Sequence, residues 1–554
     1  MKKLKILLLL SVCTLLAKAQ PAVVKNLAKS VITLKAYNAD GTEREVSYGF
    51  MINANGTMVA PWKPFAGASR VVAVDEKGGE VDVETIAGVN ELYDVCRFKL
   101  EGLKTIPLTV ASKSVAKGSK VWLAQAPKSK EKAIEGSIEK AETFMEKYNY
   151  YMLAYNEAPA TNGLPLLNDA GQVVALCLAS SDGSKTAVDI QFVSELQNSG
   201  LAINSTLYQN SCVRPELSDD SKQALLTVIL AGEQGNQAKY AKYIDDFISK
   251  FPTEVDGYTS RALLKVNEAD FQGADQDLQL CLDKATNKAE AHAEYARIIY
   301  QKMLFSTDTL FTAWTLDKAL SEIKQAYYIS NQAAYKHREA QIIFAQGHYN
   351  EAYDLFNGLL STNLKGPELF YEAAQCKVQT GAPDTEVLAL LDSAVTMFSK
   401  PYSQVAAAYV LARGQQYDKM GEYRKALADY NDYDTIMVGR ASADFYYTRY
   451  RCETNIRQYQ QALNDIAHAA YLNQQEPLYF AEMASLRLRV NQTEDAILAA
   501  NLCLQLEPNS TDALIIKGLA LVQTGKKAEG IECLTRALEL GDERAPALIE
   551  KYSK

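Results

Sequence analysis

Two periods of hydrophobic alternation divide the chain. Between about residues 22 and 205, apolar and polar positions alternate at every second residue. Examples are SVITLKAY (30–37), RVVAVDEKGGEVDVETI (70–86), SKVWLAQA (119–126) and GQVVALCLAS (171–180). Turn pairs such as Asp40-Gly41, Asn55-Gly56 and Gly78-Gly79 separate these runs. Short alternating strands bounded by turn residues predict an all-β sandwich or barrel. From about residue 216 the apolar positions recur at helical spacing, in segments rich in Ala, Leu and Tyr. That change of period predicts amphipathic helices from there on. Residues 204–219, with Pro215 among them, are the expected joint.

The helical half repeats itself. Ala426, Ala462, Ala496 and Gly530 open the core stretch of successive second helices, 36, 34 and 34 residues apart, and Ala274 and Ala352 take the same place earlier. Ala326, Ala469, Cys503 and Ala537 fill a second small position seven residues further on. A helix–turn–helix period of 34 with small residues where helices cross is the tetratricopeptide (TPR) signature. This half therefore resembles a TPR array. The resemblance implies an all-α superhelical solenoid of about nine helix pairs over 217–554, with a loop inserted around Leu304–Phe311.

The first nineteen residues read differently. Lys2, Lys3 and Lys5 precede an apolar run from Ile6 to Ala17, closed by Ala17-Lys18-Ala19. That is the order of a secretory signal. Cleavage after Ala19 is expected, and with it export to the periplasm or cell envelope. Domains are then expected at 20–205 (β) and 217–554 (helical), joined by a linker at 206–216. No other run of eighteen apolar residues occurs, so no transmembrane segment is expected.

Composition narrows the partners. Apolar residues make up 48% of the 554 and charged residues 23%, ordinary for a globular protein. The net charge is −9, and four of the lysines lie in the segment expected to be removed. Nucleic-acid binding wants a basic face, so protein or peptide partners are expected instead; the oligomeric state is left open. The eight cysteines after residue 20 are scattered, with no Cys-x-x-Cys. Neither a disulfide framework, nor a metal site, nor a cofactor is expected from them.

Three passages of the β half resemble exported bacterial serine proteases of the trypsin-like kind. Gly49–Ala60 matches the strand–turn–strand before the catalytic His, Asn90–Leu100 the strand carrying the catalytic Asp, and Asn162–Val174 the nucleophile loop with its following hairpin. The resemblance implies a double β-barrel over roughly 180 residues. It also implies which residues hold the triad positions: Lys63 where the family has His, Asp94 as its Asp, and Asn162 where it has Ser, in Ala160-Thr161-Asn162-Gly163-Leu164-Pro165. The mechanism needs an imidazole base and a hydroxyl nucleophile. An amide is neither, and the four histidines are His292, His337, His348 and His468, all beyond the β half. Ala160 further replaces the glycine that completes the oxyanion hole. The expectation is a pseudo-protease, not an enzyme. The alternative is an active peptidase with an unusual dyad, Thr161 beside Lys63.

Binding is therefore expected on the helices. A TPR array presents the first helix of each pair along an extended groove. His337, Gln341, Gln415, Tyr447 and Arg451 occupy such first helices at i, i+4 spacing and are the expected partner-binding residues.

Overall fold

The computed structural model describes residues 27–75, 77–100, 105–126, 129, 133–155, 162–179 and 183–554. The expected signal, Ala160 and Thr161 lie outside them. The chain forms two compact units, Met1–Asn287 and Lys288–Lys554.

The first unit begins with the strands that the alternation predicts. β1 (Val31–Tyr37), β2 (Glu43–Met51), β3 (Thr57–Ala60), β4 (Arg70–Val74) and β5 (Glu80–Asp82) are followed by β6 (Thr85–Ile86), β7 (Gly88–Asn90) and β8 (Val95–Lys99). Seven of these make one antiparallel sheet in the order β5-β4-β1-β2-β3-β8-β7. Then come β9 (Lys120–Ala124), β10 (Ala133–Phe144), β11 (Tyr148–Ala154), β12 (Pro165–Leu167), β13 (Val173–Ala179) and β14 (Lys185–Asp189). These six close into a barrel, β10-β11-β14-β13-β12-β9. The β region is thus a closed barrel and an open half-barrel, which stays unclosed among the described residues where a double barrel was expected.

The joint is folded. Residues 206–216 hold a short helix, Thr206–Gln209, and β15 (Arg214–Pro215), which pairs in parallel with β6. Ile203 and Leu217 then pack on Val228, Tyr243 and Phe247 of the first two long helices, α1 (Ser221–Glu233) and α2 (Gln237–Lys250). Tyr243 donates its hydroxyl to the Pro215 carbonyl at 3.0 Å, and Lys250 Nζ donates to the Leu217 carbonyl at 2.7 Å. Proline and polar residues marked a break in the sequence, but their backbone groups are bonded rather than free. The pair α3 (Val255–Asn267) and α4 (Phe271–Lys284) completes this unit.

The second unit is a solenoid-like array of helix pairs. They are α5 (Lys288–Phe305) with α6 (Leu316–Ile329), α7 (Ala333–Ala345) with α8 (Tyr349–Leu359), and α9 (Pro367–Gln379) with α10 (Asp384–Val395). Next come α11 (Ala407–Lys419) with α12 (Tyr423–Met437) and α13 (Ala443–Asn455) with α14 (Tyr459–Leu472). The last are α15 (Pro477–Arg489) with α16 (Thr493–Leu506), α17 (Thr511–Gln523) with α18 (Lys527–Glu539), and a closing α19 (Ala545–Ser553). The small residues sit where the repeat demands. Ala352, Ala426, Ala462, Ala496, Ala326, Ala469, Cys503 and Ala537 are all fully buried. Gly530 shows why size matters there: a Cβ on it would lie 2.8 Å from the Gly518 carbonyl of the partner helix. The insert between α5 and α6 is anchored by the buried Lys302, whose Nζ donates to the Asp308 carbonyl at 2.8 Å.

The short turns inside the pairs, the α5–α6 insert apart, each hold one left-handed residue. Gly235, Gly347, Gly381, Gly421 and Gly525 supply it, while Ala269 (φ 61°), Arg457 (φ 64°) and Asn491 (φ 63°) take the same conformation with a side chain. None of the eight cysteines after residue 20 is joined in a disulfide; six are buried, Cys533 is half-buried and Cys212 is exposed.

Candidate functional site

The triad positions come from three separate local structures. Asp94 ends the tight turn before β8 in a left-handed conformation, φ 51°. Its Oδ1 accepts the Lys63 backbone N–H at 2.6 Å, and its carbonyl accepts the Trp62 N–H at 3.2 Å. The carboxylate is half-buried, and burial pushes it up to about 6 despite those donors. Its partner on Lys63 is therefore the peptide N–H, and the Lys63 side chain is exposed. Asn162 is engaged on both sides: its carbonyl accepts from Tyr48 N–H at 3.0 Å and its Oδ1 from Ala179 N–H at 3.2 Å. The next residue, Gly163, has φ 90°, and a Cβ there would fall 1.8 Å from the Tyr48 carbonyl. The nucleophile-like loop is thus pinned by backbone packing that only glycine allows.

A cleft of about 350 Å³ opens beside Lys63 and Asp94, walled by Trp62, Tyr93, Tyr150, Leu178 and Ala179. Asn162 does not line it; Ala179, its hydrogen-bond partner, does. Of the three positions, Lys63 and Asp94 are brought together, and Asn162 stands behind the wall.

On the helices, the expected partner-binding residues separate into three places. His337 and Gln341 lie together on α7. His337 Nε2 is 2.5 Å from Glu372 Oε2 of α9, and Gln341 Nε2 donates to Glu372 Oε1 at 2.7 Å. Gln415 is exposed on α11. Tyr447 on α13 is half-buried in a row of rings, 5.9 Å from Tyr450 and 5.3 Å from Tyr479. The rings on either side are fixed by their hydroxyls: Tyr450 donates to Glu482 at 2.9 Å and Tyr479 to Asp444 at 2.7 Å. Arg451 is exposed one turn from Tyr447.

Gln341 and Glu372 open onto a cavity of about 580 Å³. Its walls come from three consecutive first helices: Tyr300, Gln301, Leu304 and Phe305 of α5, Arg338, Gln341 and Phe344 of α7, and Tyr371, Glu372, Gln375 and Gln379 of α9; Phe356 of α8 forms the floor. The Arg338 guanidinium lies 5.6 Å from the centre of the Tyr300 ring. Phe305 and Leu304 project into solvent at its edge, 82% and 45% exposed. Sequence spacing pointed to α7 but missed Arg338, Tyr371 and the α5 residues. A signal existed in the clustering of Gln and aromatic residues on successive first helices.

No protein-family model matches the sequence, and no curated protein matches it. Among solved structures the chain is similar to YrrB, titled a TPR protein with an unusual peptide-binding site, at 16% identity and TM-score 0.32, covering 35% of this chain and 97% of that one. It is similar to MamA at 18% and 0.28, covering 31% and 96%. It is also similar to the active form of a protease from M. tuberculosis at 18% and 0.27, covering 32% and 86%. Each likeness concerns the fold of about a third of this chain. In class, the molecule is a β-barrel region followed by an array of helix pairs.

Proposed function

We propose that this protein is an exported, non-catalytic scaffold that binds an extended peptide across its first helices, with the protease-like region as a second docking module. The observation that carries the reading is the 580 Å³ cavity built by α5, α7 and α9. Aromatic walls offer contact area for an apolar side chain. The amides of Gln301, Gln341, Gln375 and Gln379 are suited to pair with peptide N–H and C=O groups. Arg338 supplies the positive group for an acidic residue or terminal carboxylate.

Support for a non-catalytic role comes from the triad positions. Lys63 is exposed, whereas a lysine base needs a dry surrounding. Asn162 carries no hydroxyl, and its oxygens are already accepting from Tyr48 and Ala179.

A peptide library panned on the full chain tests the binding claim. Selected peptides should share an apolar anchor and lose affinity at least tenfold in Tyr371→Ala and Arg338→Ala. Equal affinity for both variants would place binding elsewhere. Casein turnover, or labelling of the β region by a fluorophosphonate probe, would overturn the non-catalytic part.

A further inference from the structure

Three metal-ligating side chains meet where α7 faces α9. Glu368 and Glu372 are four residues apart on one face of α9, and His337 approaches from α7. Each offers a ligand atom within 4.8 Å of the other two. Arg338 lines the same cavity as Glu372 but forms no ion pair with either carboxylate among the described residues. Among the described residues, the ion pairing of these two carboxylates is limited to the contact between Glu372 and His337. Gln341 turns its Nε2 to Glu372, which leaves its Oε1 buried with no hydrogen-bond partner. Two carboxylates thus converge with a single imidazole to oppose them. An orphaned buried acceptor is costly; turning the Gln341 amide by 180° would put Oε1 where Nε2 now faces Glu372, so that a cation held by the carboxylates satisfies it as well.

We propose that His337, Glu368 and Glu372 form a binding site for a first-row divalent cation, with Gln341 Oε1 as a further oxygen. One imidazole nitrogen with carboxylate oxygens suits Zn²⁺, Co²⁺ or Mn²⁺; Ca²⁺ takes oxygens alone, and Cu⁺ wants thiolates. The ion takes the place of the direct His337–Glu372 hydrogen bond, and the side chains rotate to hold it at about 2.0–2.1 Å. Glu372 and Gln341 also line the 580 Å³ cavity, so the site adjoins that space. The site does not depend on the peptide-binding reading, because its ligands are complete without an occupant of the cavity.

The test titrates the full chain with Co²⁺ and with Zn²⁺, by calorimetry and, for Co²⁺, by absorption. One equivalent should bind, with d–d bands of nitrogen and oxygen ligands. Glu368→Gln changes an exposed carboxylate and leaves the packing alone; it should weaken binding at least about tenfold, as should His337→Ala. Cys212→Ser should change nothing. Absence of stoichiometric binding, unchanged affinity in Glu368→Gln, or a thiolate charge-transfer band would each overturn the proposal. Arg338→Ala should retain the cation, which separates failure of this site from failure of the peptide cavity.

Discussion

Arg449 on α13 grips Asp465 on α14 with two parallel hydrogen bonds, Nε at 2.6 Å and Nη2 at 2.9 Å. Both side chains are about nine-tenths buried. The same sixteen-residue bridge joins Arg261 to Asp277 and Arg413 to Asp429. In each case the remaining guanidinium nitrogen reaches back to the preceding second helix, at Asp245, Asp392 and Asp434. One arginine therefore fastens two helix crossings.

Breaking the pair from one side should be severe. Arg449→Met leaves the Asp465 carboxylate buried without its counter-charge and should cost about 3–5 kcal/mol. Adding Asp465→Leu to it should recover much of that loss. Urea denaturation of the two variants decides; equal loss in both would mean that the pair's charge is not what matters.

Glu453 gives the same region a pH response. It is buried beside Asp465 and Arg449, and one of its oxygens has no partner. Burial first, and the Asp465 charge second, hold its carboxyl well above the usual carboxylate range. The folded state then keeps a proton that the unfolded chain releases near pH 4.3. Its contribution to stability is present below that pH and is lost as pH rises toward the raised folded value. Glu453→Gln should flatten this fall and stabilise the protein above neutrality. Denaturation midpoints at about pH 5 and pH 8 measure it.

Asp94 should behave alike on the β side. With its carboxyl raised to about 6 by burial, its contribution declines between about pH 4 and 6 and is flat above. Asp94→Asn keeps an acceptor for the Lys63 N–H and tolerates the left-handed backbone, so stability at pH 7 should hold or rise by about 1 kcal/mol. Asp94→Val loses both and should cost about 2–4 kcal/mol. A damaging Asp94→Asn would mean that the ionised form is needed.

The intra-pair turns offer a paired test. Gly421→Ala puts a Cβ on a residue at φ 76° and should cost about 1 kcal/mol. Arg457→Gly relieves the same strain at φ 64°, partly offset by the greater freedom of glycine in the unfolded chain. A net gain below about 1 kcal/mol is expected, read as a rise in Tm.

Local periodicity made the elements legible. Val31–Tyr37 follows its alternating run, Val173–Ala179 is a continuous apolar run buried on both faces, and Ala462, Ala496 and Gly530 follow the 34-residue beat because a helix crossing excludes larger side chains. What periodicity does not carry is proximity between repeats. His337 and Glu372 are 35 residues apart and meet only because α7 and α9 occupy equivalent places in successive pairs. The scattered Cys and His gave no sign of a metal site, and Glu368 and Glu372, four residues apart, read as ordinary solvated helix surface. The joint misled in the opposite sense: Pro215 reads as a break, but as the end of β15 it needs no N–H donor and still accepts from Tyr243. Asp94 was legible as a position, but its hydrogen bond to the Lys63 backbone N–H comes from the fold of two separate loops, which no local pattern carries.

The scattered cysteines carry a consequence for how the protein is made and handled. With no cystine cross-link among the described residues and six of the eight thiols enclosed in the packing, this fold calls for no disulfide to form, and refolding from reduced, denatured chain should give the same denaturation midpoint with and without dithiothreitol. Thiol oxidation in the folded protein should begin at Cys212, the one exposed cysteine, and proceed slowly because partial burial of its sulfur holds the thiol above its usual range; it is a single chemical handle for attaching a probe without disturbing the helices.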